Sequence, residues 1–131
     1  MPNDPFVHAQ AEVFQLSRLL GSCDGDAELA GDVVADFLDT APPLLARLAQ
    51  AVADGDAIHT RLEAHSLKGS AQTLGTEALA SASQALEEAA KHGELSQAPC
   101  LLARIEGEFH RALPRLQEYL GGCPQGLQRA A

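Results

Sequence analysis

With 131 residues, 46% of them hydrophobic and 21% charged, the chain is long enough to bury one core and too short for two comfortable domains. Nine Lys and Arg against 18 Asp and Glu leave a formal charge of −9, which repels phosphate backbones and anionic lipid and excludes nucleic acid and membrane surfaces as partners. Aromatics are scarce, four Phe and one Tyr, and the abundance of Ala and Leu favours packed helices over sheet.

Apolar residues recur at steps of three and four almost throughout, with no convincing period of two, so the expected fold is all-α. The first stripe is Phe6, Ala9, Val13, Leu16 and Leu20, entered through Asp4 and Pro5 and closed by Gly21. A second begins after Asp26 and runs through Ala30, Val33, Phe37 and Ala41. Pro42 and Pro43 lack amide protons, yet the stripe resumes in phase at Leu45, Leu48 and Val52, which predicts two successive helices or one with a sharp kink. Asp54-Gly55-Asp56 ends that segment and caps a third helix over 57–74, stopped by Gly75. Thr76 is expected to cap a fourth, with Leu79, Ala82, Leu86 and Ala89 inward and Gly93 at its end. Ser96, with Pro99 near the first turn, starts a last helix carrying Leu102, Ile105, Phe109, Leu113, Leu116 and Leu120, kinked at Pro114. The remainder, GGCPQGLQRAA, reads as a flexible tail. Connections of a few residues force antiparallel neighbours after Pro42. The expectation is therefore an antiparallel up-and-down four-helix bundle with one or two additional N-terminal helices, residues 1–120 forming the domain (core about 29–120) and 121–131 the tail.

The longest apolar runs fall far below the roughly 20 residues needed to span a bilayer, and MPNDPF lacks the basic and apolar regions of a signal peptide, so the cytoplasm is the expected compartment. Cys23, Cys100 and Cys123 are an odd number without a CxxC pairing, which fits reduced thiols, with Cys100 placed in the core. A metal-binding bundle is a competing reading, since His59 and Glu63 are spaced i, i+4 and His8, His92 and His110 are spare; no Glu-x-x-His pair supports it. The chain also lacks βα alternation, a P-loop and a glycine-rich nucleotide box, so no ATP-dependent kinase activity is expected of it.

On the helix over 57–74 the inward residues are Ala64, Leu67, Ala71 and Leu74, with Thr60 one turn earlier. At about 100° per residue His65 lies roughly 160° from Leu67, on the solvent side, with Arg61, Lys68, Gly69 and Gln72 within about 60° of it. Gly69 costs about 1 kcal/mol relative to Ala there, and the helix's own packing does not require it; a second body approaching the backbone beside His65 accounts for it. A neutral imidazole is a competent nucleophile, and Lys68 can neutralise the oxygens of a phosphoryl group carried on the ring. Counting outward from the Gly75 turn brings Gln84, Glu87 and Glu88 to the level of His65, where one could orient the ring. A charge run is ordinarily a solvated face, and that reading is adopted for them. Lys91 is a weaker candidate for a second phosphate contact, and Ser66 and Ser70 are assigned structure only. Taken by themselves, these residues leave a phosphate-carrying histidine as one option among several, an inert surface histidine included.

The run AHSLKGSAQTLG, Ala64 to Gly75, closely resembles the signature of the histidine-containing phosphotransfer domain family, in which H-x-L-K-G-[SA] lies mid-helix and L-G ends the helix. Leu86-Glu87 with Ala90 and Gly93, and the Phe37-Leu38 to Pro42 entry, resemble the same family, so the likeness covers roughly 29–120. It implies a four-helix bundle with extra helices, in agreement with the periodicity. It implies that His65 accepts a phosphoryl group on Nε2 from a receiver-domain aspartate and passes it to another receiver, that Lys68 steadies the group, and that Gly69 gives the partner access. Arg61 and Gln72 complete the candidate set, with Leu62 a candidate apolar contact. The implied partners are response-regulator receiver domains or a hybrid sensor histidine kinase, with Mg²⁺ expected on the receiver and no cofactor bound by this chain. The resemblance implies a phosphotransfer intermediate rather than a turnover enzyme; the alternative is a module that docks on a receiver without transfer. A monomer is the default, and Met1 with the short tail leads us to expect an independent protein.

Overall fold

A computed structural model describes residues 14–121, in which five helices and no strand form: α1 (Leu16–Ser22), α2 (Ala27–Ala53), α3 (Ala57–Leu74), α4 (Glu77–Lys91) and α5 (Ala98–Gly121). The expectations for Phe6, Ala9, Val13, His8, Cys123 and the tail lie outside the described residues. Asp26 starts α2, its carboxylate accepting from the Glu28 and Leu29 amides at 3.0 and 3.1 Å. The helix then runs unbroken for 27 residues, and the two-helix alternative fails. Both Pro42 and Pro43 are exposed, so the amides lost to Leu38 and Asp39 one turn earlier are lost on the side of α2 that solvent can reach.

Asp56 caps α3 by accepting from the His59 amide at 3.0 Å, and Gly75 ends it in the left-handed conformation at φ 81°. Thr76 does not cap α4 as expected. Its hydroxyl turns back and donates to the Ala71 carbonyl at 3.0 Å, closing the end of α3 instead, and no side chain caps the first amides of α4. The turn between them is also where α1 docks. The Gln15 amide donates to the Gly75 carbonyl at 2.9 Å, Arg18 pairs with Glu77, and a Cβ on Gly75 would collide with the Gln15 carbonyl oxygen.

The four long helices pack in a ring, α2 on α3, α3 on α4, α4 on α5 and α5 back on α2, while α1 lies against α3 and α2. Their shared core includes Val34, Phe37, Leu48, Leu67, Leu74, Leu86, Ile105, Phe109 and Leu116, with the Phe37 and Phe109 rings 5.9 Å apart joining α2 to α5. Leu102 and Leu113 are half-buried and Leu120 is exposed, because the inward line of α5 is Ala98, Ile105, Phe109, Ala112 and Leu116. The same rotation corrects Cys100: α5 starts at Ala98 rather than at Ser96, Ala98 faces the core, and a residue two positions on lies about 200° round the helix, in solvent. Cys23 is the buried thiol. Among the described residues no helix is long and apolar enough to cross a membrane.

Candidate functional site

The inward residues of α3, Thr60, Ala64, Leu67, Ala71 and Leu74, are all buried, and this fixes its rotation so that His65 points out, its side chain 65% exposed. Antiparallel packing of α4 beside α3 brings Glu87 to the same level. Glu87 Oε2 lies 2.8 Å from His65 Nδ1, and Oε1 lies 2.8 Å from Lys68 Nζ. A carboxylate only accepts, so Nδ1 carries the proton and donates it; the neutral ring is then held in the tautomer whose Nε2 lone pair faces solvent. The charged-face reading of Glu87 is thereby overturned. Its side chain is only 14% exposed and bridges the histidine and the lysine.

The electrostatics of Glu87 follow from that bridge. Partial burial, the largest single influence, pushes its carboxyl up, but the short contacts of Lys68 and then His65, with their charges, outweigh it and hold the group below the usual glutamate range. The ammonium meets Oε1 off the direction a good hydrogen bond needs, so the contact is an ion pair. Lys68, 17% exposed, is thus committed to Glu87 rather than extended over the ring. The other two residues at this level do not reach the histidine: Gln84 donates to Glu88 at 3.2 Å, and Glu88 faces His92 at 3.6 Å. Lys91 lies one turn beyond Glu87 and is exposed.

Arg61, Gly69 and Gln72 share the exposed side of α3 with His65, as the helical count places them. A Cβ at Gly69 would meet nothing within 4 Å, so no neighbour within the chain explains the glycine. Leu62 is 52% exposed, and Ile58, 69% exposed, lies two turns before His65 on the same side. Ile58 went unremarked in the sequence; an apolar residue seven positions from the histidine was the available signal. Together they make a partly apolar apron, with Arg61 as its one cation, around an open imidazole.

The described i, i+4 residues of the metal reading are paired elsewhere. His59 Nδ1 is bound to Asp56 Oδ2 at 2.6 Å, and Glu63 takes a two-pronged contact from Arg47 at 3.0 and 3.3 Å, so the i, i+4 pair does not converge. The His59 amide, followed by its ring, holds the Asp56 carboxyl below its ordinary value. Among the described residues no group of three or more His, Cys, Asp or Glu is placed to hold a metal ion.

Comparison with known proteins supplies the context. The model of the Hpt domain family matches residues 32–119. The crystal structure of histidine-containing phosphotransfer protein B from Pseudomonas aeruginosa PAO1 superposes with a TM-score of 0.78 at 27% identity, covering 85% of this chain and 96% of that one. The HPT domain of a sensor hybrid histidine kinase from Shewanella also gives 0.78, covering 87% of this chain and 98% of that one; at 16% identity it speaks for the fold alone. No curated protein matches the chain.

Proposed function

The chain belongs to the Hpt domain family and is a histidine phosphotransfer carrier of two-component phosphorelays, and on that premise we propose that His65 is its phosphoryl-carrying residue. The observation that carries this reading is the Nδ1 to Glu87 hydrogen bond, which in the neutral ring puts the lone pair on Nε2, on an exposed side chain. In transfer, the Nε2 lone pair attacks the phosphorus of a receiver's aspartyl phosphate, a P–N bond forms, and the P–O bond to the aspartate breaks with its electron pair leaving on the carboxylate. The ring gains positive charge as the bond forms, and Glu87 stabilises it while keeping the proton on Nδ1. Lys68, tied to the same carboxylate, supplies a cation one turn from Nε2 for the phosphoryl oxygens. The reverse sequence passes the group to a second receiver.

Gly69 admits the receiver's backbone beside His65, and Arg61, Leu62 and Gln72 meet its surface. The receiver, free or part of a hybrid sensor kinase, brings the acidic pocket and Mg²⁺, whose chemistry is charge neutralisation at the phosphoryl group. A monomer acting in the cytoplasm completes the reading; separated thiols such as Cys23 and Cys100 stay reduced there. Incubation with phosphorylated receiver domains from the same genome should put acid-labile label on the wild type and none on His65→Gln. Label retained by the variant would remove His65 from its role. Tight receiver binding with no label on the wild type would instead favour a docking module.

A further inference from the structure

Along the other flank of α3, away from Glu87, a cleft of about 130 Å³ opens between α2 and α3. Val33, Asp36, Phe37 and Thr40 line it from α2, and Ser70 and Thr73 from α3. Its floor is apolar and its α2 rim is acidic. Between Arg18 and Arg47 the sequence holds no Lys or Arg but six carboxylates: Asp24, Asp26, Glu28, Asp32, Asp36 and Asp39. Every one is exposed, and none has a cation within ion-pair distance among the described residues. Glu28, Asp32, Asp36 and Asp39 fall within about 80° on α2, so they form one stripe. Like charges spaced i, i+4 on a helix destabilise it. The repulsion is a few tenths of a kcal/mol per pair, and a cationic partner would relieve it.

The cleft is continuous with the His65 face. Ser70 follows Gly69 directly, and the Thr73 hydroxyl donates to the Gly69 carbonyl at 3.1 Å, so the rim of the cleft begins where a body seated over Gly69 ends. We propose that this acid-rimmed cleft extends the docking face and selects receiver domains that present an apolar side chain flanked by Lys or Arg. Its volume takes one medium-sized apolar side chain, and the stripe beside it attracts the flanking cations and guides the approach. The inference rests on the relay reading for the identity of the partner, and on the cleft and stripe for its chemistry.

The test titrates unphosphorylated receiver domains of the same genome by calorimetry against the wild type and the Asp32→Asn/Asp36→Asn/Asp39→Asn variant, at about 20 and about 200 mM salt. Transfer of label runs in parallel, and Ser70→Leu serves as a second variant that fills the cleft without touching charge. Wild-type binding is expected to weaken steeply with salt, while the triple variant binds about tenfold more weakly at low salt and loses most of that salt dependence. Ser70→Leu should weaken binding and leave the salt slope intact. Equal affinities and equal slopes for wild type and triple variant overturn the proposal, whatever label moves to His65. Binding that depends on the stripe while no label moves leaves the cleft standing and removes the relay reading.

Discussion

At the scale of single residues, Glu87 is where the chemistry of His65 is decided, because one carboxylate sets both the tautomer of the ring and the position of Lys68. Replacing Glu87 by Gln keeps the shape and removes the obligatory acceptor, so either tautomer becomes available. Transfer measured with a phosphorylated receiver should slow by about 10–100-fold, on the scale of losses when the orienting partner of a metal-bound histidine is removed. Stability carries a separate signature. A carboxyl whose folded pKa is lowered contributes stability that is complete above its unfolded value, about 4.3, and lost as pH falls through the folded value. Urea midpoints of wild type and Glu87→Gln should therefore differ at neutral pH and draw together as pH falls below the usual glutamate range. Gly69 separates the two requirements in the opposite direction. With open space around a Cβ there, Gly69→Ala should stabilise the helix by about 1 kcal/mol in a melt while slowing transfer, since only the partner meets the added methyl. A faster or unchanged transfer rate would show that the glycine gives no access.

At the scale of elements, the turn after α3 does more than end a helix. Gly75 sits at φ 81° with its carbonyl bonded to Gln15 and its α-carbon against the backbone of α1. In Gly75→Ala, left-handed strain of about 1–3 kcal/mol adds to that collision. The measurable outcome is a drop in urea midpoint of at least that size together with loss of the α1 contacts, read as exposure of the Cys23 thiol to a reagent that wild type excludes. An alanine variant with wild-type stability and a protected thiol would sink the argument. The sequence showed this stop clearly, since Leu-Gly after an amphipathic run is a strong local signal; Asp26 and Asp56 were legible for the same reason. Pro42-Pro43 was not, because whether two prolines break a helix depends on whether the carbonyls they strand can reach water. Thr76 was misread because its hydroxyl had two helix ends within reach, and only the turn's geometry shows which it closes.

At the scale of the whole molecule, the all-α pattern, the four long stripes and the outward face of His65 followed from periodicity, which depends on local spacing. Properties that depend on how two helices are rotated against one another did not. Counting residues brought Gln84, Glu87 and Glu88 equally to the level of the histidine, and the choice among them is made by packing of Leu86 and Ala90 into the core, which turns Glu87 toward α3. Cys100 was placed inward because a free thiol is commonly buried, and the phase of α5 turns it to solvent instead. The bundle leaves the imidazole open, and this has a consequence for how long a message lasts. Of the two oxygens of the nearest carboxylate, one accepts from the ring and the other is buried beside Lys68, so neither is placed to draw a proton from an attacking water. A loaded carrier of this design leaks only at the pace of ordinary phosphoramidate hydrolysis, and its memory ends when a recipient arrives.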